Sequence, residues 1–211
     1  MTSKKASDTK IIPLPKPKIR SRYSLERGLF ERRSIREYTR KPISLEALAQ
    51  LLWSCQGITA ADGLRATPSA GAVYPLESYA AVERVEGLPA GIYRYFPGPG
   101  VNEHHLQLVK RGRCGEELLA LTTKQDFIKT VAVNILLATV TSHMAKEYGE
   151  ELAPRFVHME MGHAAQNVHL QAEALGLGSV AVGYLQEKKV AVLIGCEAEP
   201  QYMISIGVKK R

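Results

Sequence analysis

The run TVAVNILLATV, residues 130–140, constrains this chain most. It is almost continuously apolar and rich in valine, with a single asparagine inside it. A segment so short and so apolar reads as a central strand buried on both faces. The rest of the chain must therefore supply neighbouring strands and a layer of helices above and below. Three strand-like runs precede it: SYAAVERV (78–85), GIYRYF (91–96) and HLQLVK (105–110). Gly87, Pro89, Gly98 and Pro99 mark the turns between them. After it, SVAVGYL and QYMISIGV read as strands, with KKVAVLIG as a short helix between them.

Helical signals are equally local. In KPISLEALAQLLWSCQG, Ser44 is an N-cap, Leu45, Leu48, Leu51 and Leu52 form the apolar stripe, and Gly57 stops the helix. The longest pattern covers 155–175, where Val157, Met161, Ala164, Ala165, Val168, Ala172 and Leu175 share one face and Gly176 ends it. Small residues at its centre let another backbone approach closely. Shorter helical pieces are expected at 115–122 and around Phe127. The polar segment 142–154 reads as a mobile cover, and RATPSAGAVYP (65–75), rich in small residues and proline, as a loop. The fold class is α+β, a mixed or antiparallel central sheet flanked by helices.

The 211 residues, 45% of them hydrophobic, suffice for one sizeable core. The net charge of +7 does not describe a nucleic-acid face. Seven Lys or Arg between Lys4 and Arg22 oppose only Asp8, so that stretch holds six of the seven charges. With Pro13, Pro15 and Pro17 it reads as an extended basic arm, 1–22, ahead of a single domain, 23–211. Aromatic and basic residues do not interleave in the body, so no nucleic-acid partner is expected. No apolar run approaches the ~20 residues needed to span a bilayer. The N-terminus lacks the apolar core of a signal peptide, and Cys55, Cys114 and Cys196 are widely spaced. The chain is expected in the reducing cytoplasm, without a membrane partner.

The densest chemical signal is ERRSIREY (31–38). Arg32, Arg33 and Arg36 present planar cationic forks suited to phosphate oxygens, and the Ser34 hydroxyl can donate to the same group. Their spacing suits one small dianion. Other motifs fall away. Gly176, Gly178 and Ala181 match the letters of a dinucleotide fingerprint but follow a helix and open a strand, the reverse of the required context. Glu160 and His163 have the spacing of a di-iron ligand pair without its second copy, and no metal site is expected. Ser69 lacks the surroundings of a hydrolase nucleophile.

Four stretches in order, ERRSIREY, PSAGAVYPLESY, GLPAGIYRY and GHAAQNVHLQAEALGLGSVAVG, resemble the nitroreductase superfamily of FMN-dependent oxidoreductases, most closely its SagB-type dehydrogenase branch. The resemblance covers roughly 24–208 and implies an intertwined homodimer with FMN at the subunit interface. By motif, Arg32, Arg33 and Ser34 would hold the FMN phosphate and ribityl chain, with Arg36 near the N1/O2 edge of the ring. Pro68, Ser69 and Ala70 would line the cofactor from the partner subunit, and Gln125 would supply an amide. Gly183 and Tyr184 would place backbone N–H groups near N5 and O4. Lys209 and Arg211 stand where the family uses a terminal arginine on the phosphate. The flavin carries the chemistry, so no catalytic side chain is expected. The implied activity moves a hydride from NADH or NADPH to a small electron-poor acceptor such as a nitroaromatic or quinone. Two alternatives remain: a SagB-type oxidase or dehydrogenase of a small heterocyclic or peptide substrate, and a flavin-binding protein without turnover. The Lys-Tyr dipeptide of the azoline oxidases is absent, which weighs against ring oxidation.

Overall fold

The strand β5 (Val133–Thr139) is buried along its whole length because its side chains alternate between two apolar layers. Val133, Ile135 and Leu137 join Leu48, Leu51 and Leu52 of α2 (Leu45–Gln56) and Val157, Met161 and Ala164 of α5 (Thr141–Ala174). Leu136 and Ala138 face the other way, onto Leu118 of α3 (Gly115–Ala120), Phe127 and Ile128 of α4 (Phe127–Thr130), and Val190 and Ile194 of α6 (Glu187–Ile194). Of the two polar residues of β5, Asn134 is satisfied, whereas the buried Thr139 hydroxyl has no partner among the described residues. The Asn134 amide donates to the Ile128 carbonyl at 2.9 Å and accepts from the Ser205 hydroxyl at 2.5 Å.

The structure is a computed structural model and describes residues 10–101 and 103–210. Around β5 lie β1 (Ile11–Pro13), β2 (Leu76–Val82), β3 (Gly91–Phe96), β4 (His105–Arg111), β6 (Leu177–Val182) and β7 (Glu199–Val208). The order across the sheet is β1-β4-β3-β2-β5-β7-β6. Every pair of these strands is antiparallel. Among the described residues, parallel pairing occurs only as isolated bridges, Ser34 with Ser179 and Ile43 with Val85. An antiparallel strand can therefore read as continuously apolar when helices cover both faces of its sheet.

The Ser44 cap expected for α2 holds, through the Ala47 N–H, and Ser24 caps α1 (Leu25–Glu31) in the same way through that of Arg27. The segment expected as a mobile cover is helical instead, the first part of α5, which breaks at Gly149 (φ 80°, ψ 161°) and resumes. Its polar surface hides three inward residues: Met144 is fully buried, and Ala145 and Tyr148 pack against the core. The basic arm enters the sheet through three of its described residues and continues as an extended segment. Ile11, Ile12 and Pro13 pair with Gln107, Leu106 and His105. Leu14 is buried, and Lys18 and Gln50 exchange hydrogen bonds of 2.7 and 3.0 Å. Residues 1–9 lie outside the described residues.

Candidate functional site

The arginine cluster sits on the free edge of β6. The chain leaves α1 at Arg32, runs extended, and lays Ile35 against that edge, where its N–H donates to the Ser179 carbonyl at 3.0 Å. Thr39 N–H then donates to Val208 and Lys210 N–H to Glu37, so the segment follows the end of β7. Two glycines make this approach possible. A Cβ at Gly178 would lie 2.9 Å from the Ile35 side chain, and one at Gly207 would lie 3.0 Å from the Tyr38 ring.

The cationic side chains differ. Arg32 and Arg36 have no hydrogen bond or ion pair among the described residues, whereas the Arg33 guanidinium donates to the carbonyls of Phe30 (2.9 Å) and Arg32 (2.8 Å) at the end of α1. Ser34 is exposed beside them. Behind the cluster, His169 of α5 is buried with Nδ1 2.7 Å from the Ser179 hydroxyl. Burial, aided by the Arg32 charge, pushes its imidazole down to about 4. It is therefore neutral near pH 7 and adds no charge to the arginines. Lys209 pairs with the buried Glu173 carboxylate, so its ammonium already has a partner within the chain. Arg211 lies outside the described residues.

At the other end of β6 the chain turns through Gly183 and Tyr184, both exposed. Here a cavity of about 470 Å³ is lined by His158, Met161 and Gly162 of α5, Gly183, Glu187, Gln201 and Tyr202. Gln125 is exposed on the turn before α4 and donates to the Thr123 hydroxyl at 3.0 Å. Its neighbourhood is tied to the Gly183 turn by the Gln186 N–H, which donates to the Leu121 carbonyl at 2.8 Å.

Pro68, Ser69 and Ala70 lie elsewhere. Their loop is anchored by Asn167, whose amide donates to the Ala66 carbonyl (3.2 Å) and the Thr67 hydroxyl (3.1 Å). At about 100° per residue, Asn167 and His169 point to nearly opposite sides of α5. One chain therefore keeps this loop across the helix from the arginines. Under the loop, Glu160 is 1% exposed, and neither carboxyl oxygen has a hydrogen-bond partner among the described residues. Burial pushes it up to about 7, against the opposing influence of Ser69, Arg65 and Gln56. Arg65 bonds the Gln56 amide oxygen at 2.9 Å and lies over the Tyr74 ring.

Glu173, Gln201 and the environments of Glu160 and His169 escaped the sequence reading. Glu160 left one trace, an acidic residue beside Val157, Met161 and Ala164 on the apolar stripe, whereas His163 of the same motif is exposed. Among the described residues, no three His, Cys, Asp or Glu side chains are grouped to hold a metal ion. No helix there is long and apolar enough to cross a membrane.

Comparison with known proteins adds a family. Residues 29–208 match the model described as the Nitroreductase family. A protein of Methanocaldococcus jannaschii assigned to the nitroreductases is 36% identical over 185 residues, which cover 88% of this chain and 91% of that one. Among solved structures, one from Ralstonia eutropha, also assigned to the nitroreductases, superposes with a TM-score of 0.80 at 27% identity, covering 95% of this chain and 90% of that one. One from Anabaena variabilis has a TM-score of 0.81 at 24% identity, and covers 96% of this chain. The chain spans 42% of the Anabaena protein's length. The NADPH:FMN oxidoreductase of Vibrio harveyi, solved with NAD+, shares the fold at a TM-score of 0.60 and 18% identity, covering 87% of this chain and 68% of that one.

Proposed function

The chain belongs to the nitroreductase family, and from that premise we propose that it is an FMN-dependent oxidoreductase passing hydride from NADH or NADPH to an electron-poor acceptor such as a nitroaromatic or quinone. One observation carries the reading. β6 has two guanidiniums without partners among the described residues, Arg32 and Arg36, at one end, and an open cavity beside Gly183 at the other. Ser179 and Gly183 are four residues apart, roughly 13 Å along a strand. A phosphate at Arg32 and a planar ring reaching from Arg36 to the cavity fit that separation.

In this reading Arg32, Arg33 and Ser34 bind the phosphate and ribityl chain, and Arg33 exchanges its two carbonyl partners for phosphate oxygens. Arg36 lies by the ring's N1/O2 edge, where a cation favours the reduced anion. The backbone N–H groups of Gly183 and Tyr184 fix the N5/O4 edge, and Gln125 adds an amide. Bound there, FMN supplies a centre that accepts and releases hydride, so the chain needs no nucleophile of its own. Lys209 serves the phosphate only by sharing its charge with Glu173, and Arg211 is the further cation proposed for it.

Pro68, Ser69 and Ala70 line the cofactor of a second copy, because within one chain they face away across α5. Exposed Leu25, Leu29 and Phe30 on α1 supply apolar surface for that homodimer. Three free cysteines support a reducing compartment, the cytoplasm.

The test is a visible spectrum of the purified protein before and after anaerobic addition of NADH or NADPH. Flavin bands that bleach support the reductase. Bands that persist favour an oxidase or a binder without turnover. Failure to bind added FMN overturns the assignment.

A further inference from the structure

Gln201 occupies an irregular position in β7. Leu137 pairs with Tyr202 and Ala138 with Pro200, so Gln201 is an extra residue without a partner on β5. Such a bulge re-aims side chains that would otherwise alternate across the sheet. Here two consecutive residues, Gln201 and Tyr202, both line the 470 Å³ cavity beside Gly183. The amide oxygen of Gln201 is shielded from solvent and has no hydrogen-bond partner among the described residues. A buried acceptor left unpaired costs about as much as a lost hydrogen bond, and a donor entering the cavity would satisfy this one. A second irregularity faces the same space. Gly162 is an exposed glycine inside α5 whose missing Cβ would touch nothing in this chain. Glycine weakens a helix interior, and this one leaves room for a flat group against the backbone.

We infer that Gln201 is a specificity-determining residue of this cavity, pairing its side-chain amide with a planar ligand group that presents an N–H beside a carbonyl. The amide oxygen takes the N–H and the amide nitrogen gives to the carbonyl, a two-bond match that nitroaromatics and simple quinones cannot make. Two groups share this chemistry: the primary carboxamide of a nicotinamide donor and the imide edge of the flavin ring. The inference rests on the proposed function for those two sources, though the paired-amide chemistry stands apart from it.

The experiment compares wild type with Gln201→Leu, which keeps the volume and removes both polar atoms, and with Gln201→Asn, which keeps the amide. Each variant is first checked for an unchanged thermal midpoint. If the ligand group is the carboxamide, Gln201→Leu raises KM for NADH or NADPH about tenfold. FMN affinity and KM for a quinone acceptor stay at wild-type values, and Gln201→Asn restores part of the loss. If it is the flavin imide, FMN affinity falls about tenfold instead. Unchanged values for both, or equal losses for donor and quinone, overturn the inference. Benzamide binding to the cavity, followed by NMR, gives a readout independent of turnover. A wild-type chain that binds benzamide but no FMN would sink the family-based reading while leaving this one standing. A chain that binds neither would sink both.

Discussion

At the scale of single residues, Glu160 and His169 lie nine positions apart on α5 and titrate in one window with opposite effects. Burial raises Glu160 from 4.5 to about 7, in surroundings of Arg65, Gln56, Ser69 and the Cys55 thiol. The folded state thus prefers its protonated form, and that contribution is complete below pH 4.5 and lost as pH rises through 7. Burial lowers His169 from 6.5 to about 4, so the folded state prefers neutral imidazole. Its contribution is complete above pH 6.5 and lost as pH falls through 4. Between these limits the two slopes offset each other in the wild type. Glu160→Gln should leave stability rising from pH 4 to 6.5 by about 3 kcal/mol, and His169→Gln should leave it falling from pH 4.5 to 7 by about as much. Urea midpoints at four pH values decide this, and identical profiles for the three proteins would refute it. Neither environment was legible in the sequence, where Glu160 is one acidic residue on a stripe and His169 one histidine among six. Desolvation is a property of what packs around a group.

At the scale of elements, the arm and the cover changed their meaning on folding. Alternating prolines correctly excluded helix from residues 13–17, but nothing local showed that β4 offers an unpaired edge for Ile11–Pro13. Leu14 anchors the junction at 7% exposure. Its N–H donates to the His104 carbonyl, and the His104 ring bonds the Pro15 carbonyl and the Tyr95 hydroxyl. Leu14→Ala should cost about 2–3 kcal/mol, seen as a lower denaturant midpoint with an unchanged slope. A loss near zero would mean that the arm adds no core. By contrast, α2 was readable from cap to stop, because Ser44, the leucine stripe and Gly57 all act within one element. The first part of α5 was misread because charged residues outnumber Met144, Ala145 and Tyr148, and its break needs only the φ of 80° that Gly149 permits.

At the scale of the whole molecule, the candidate site is split across α5. Arginines and cavity occupy one side and the Pro68–Ala70 loop the other, so the proposed cofactor site is complete only with two chains. Phe30 is 79% exposed and Leu29 56% exposed on α1. Replacing both with glutamate should yield monomers by sedimentation and, with them, loss of FMN, while far-ultraviolet dichroism stays unchanged. A monomeric variant that keeps its FMN would show that one chain completes the site.

The sequence by itself determined the strands around residues 130–140, the cap and stop of α2, the stop of α5, and the order of the four stretches that place the chain in its family. Each of these depends on residues close together in the chain. Tertiary structure alone decided the antiparallel register, the pairing of Ile35 with Ser179, the bulge at Gln201 and the burial of Glu160 and His169. These depend on which backbone edges and side chains meet across long separations, and local pattern carries no record of that meeting.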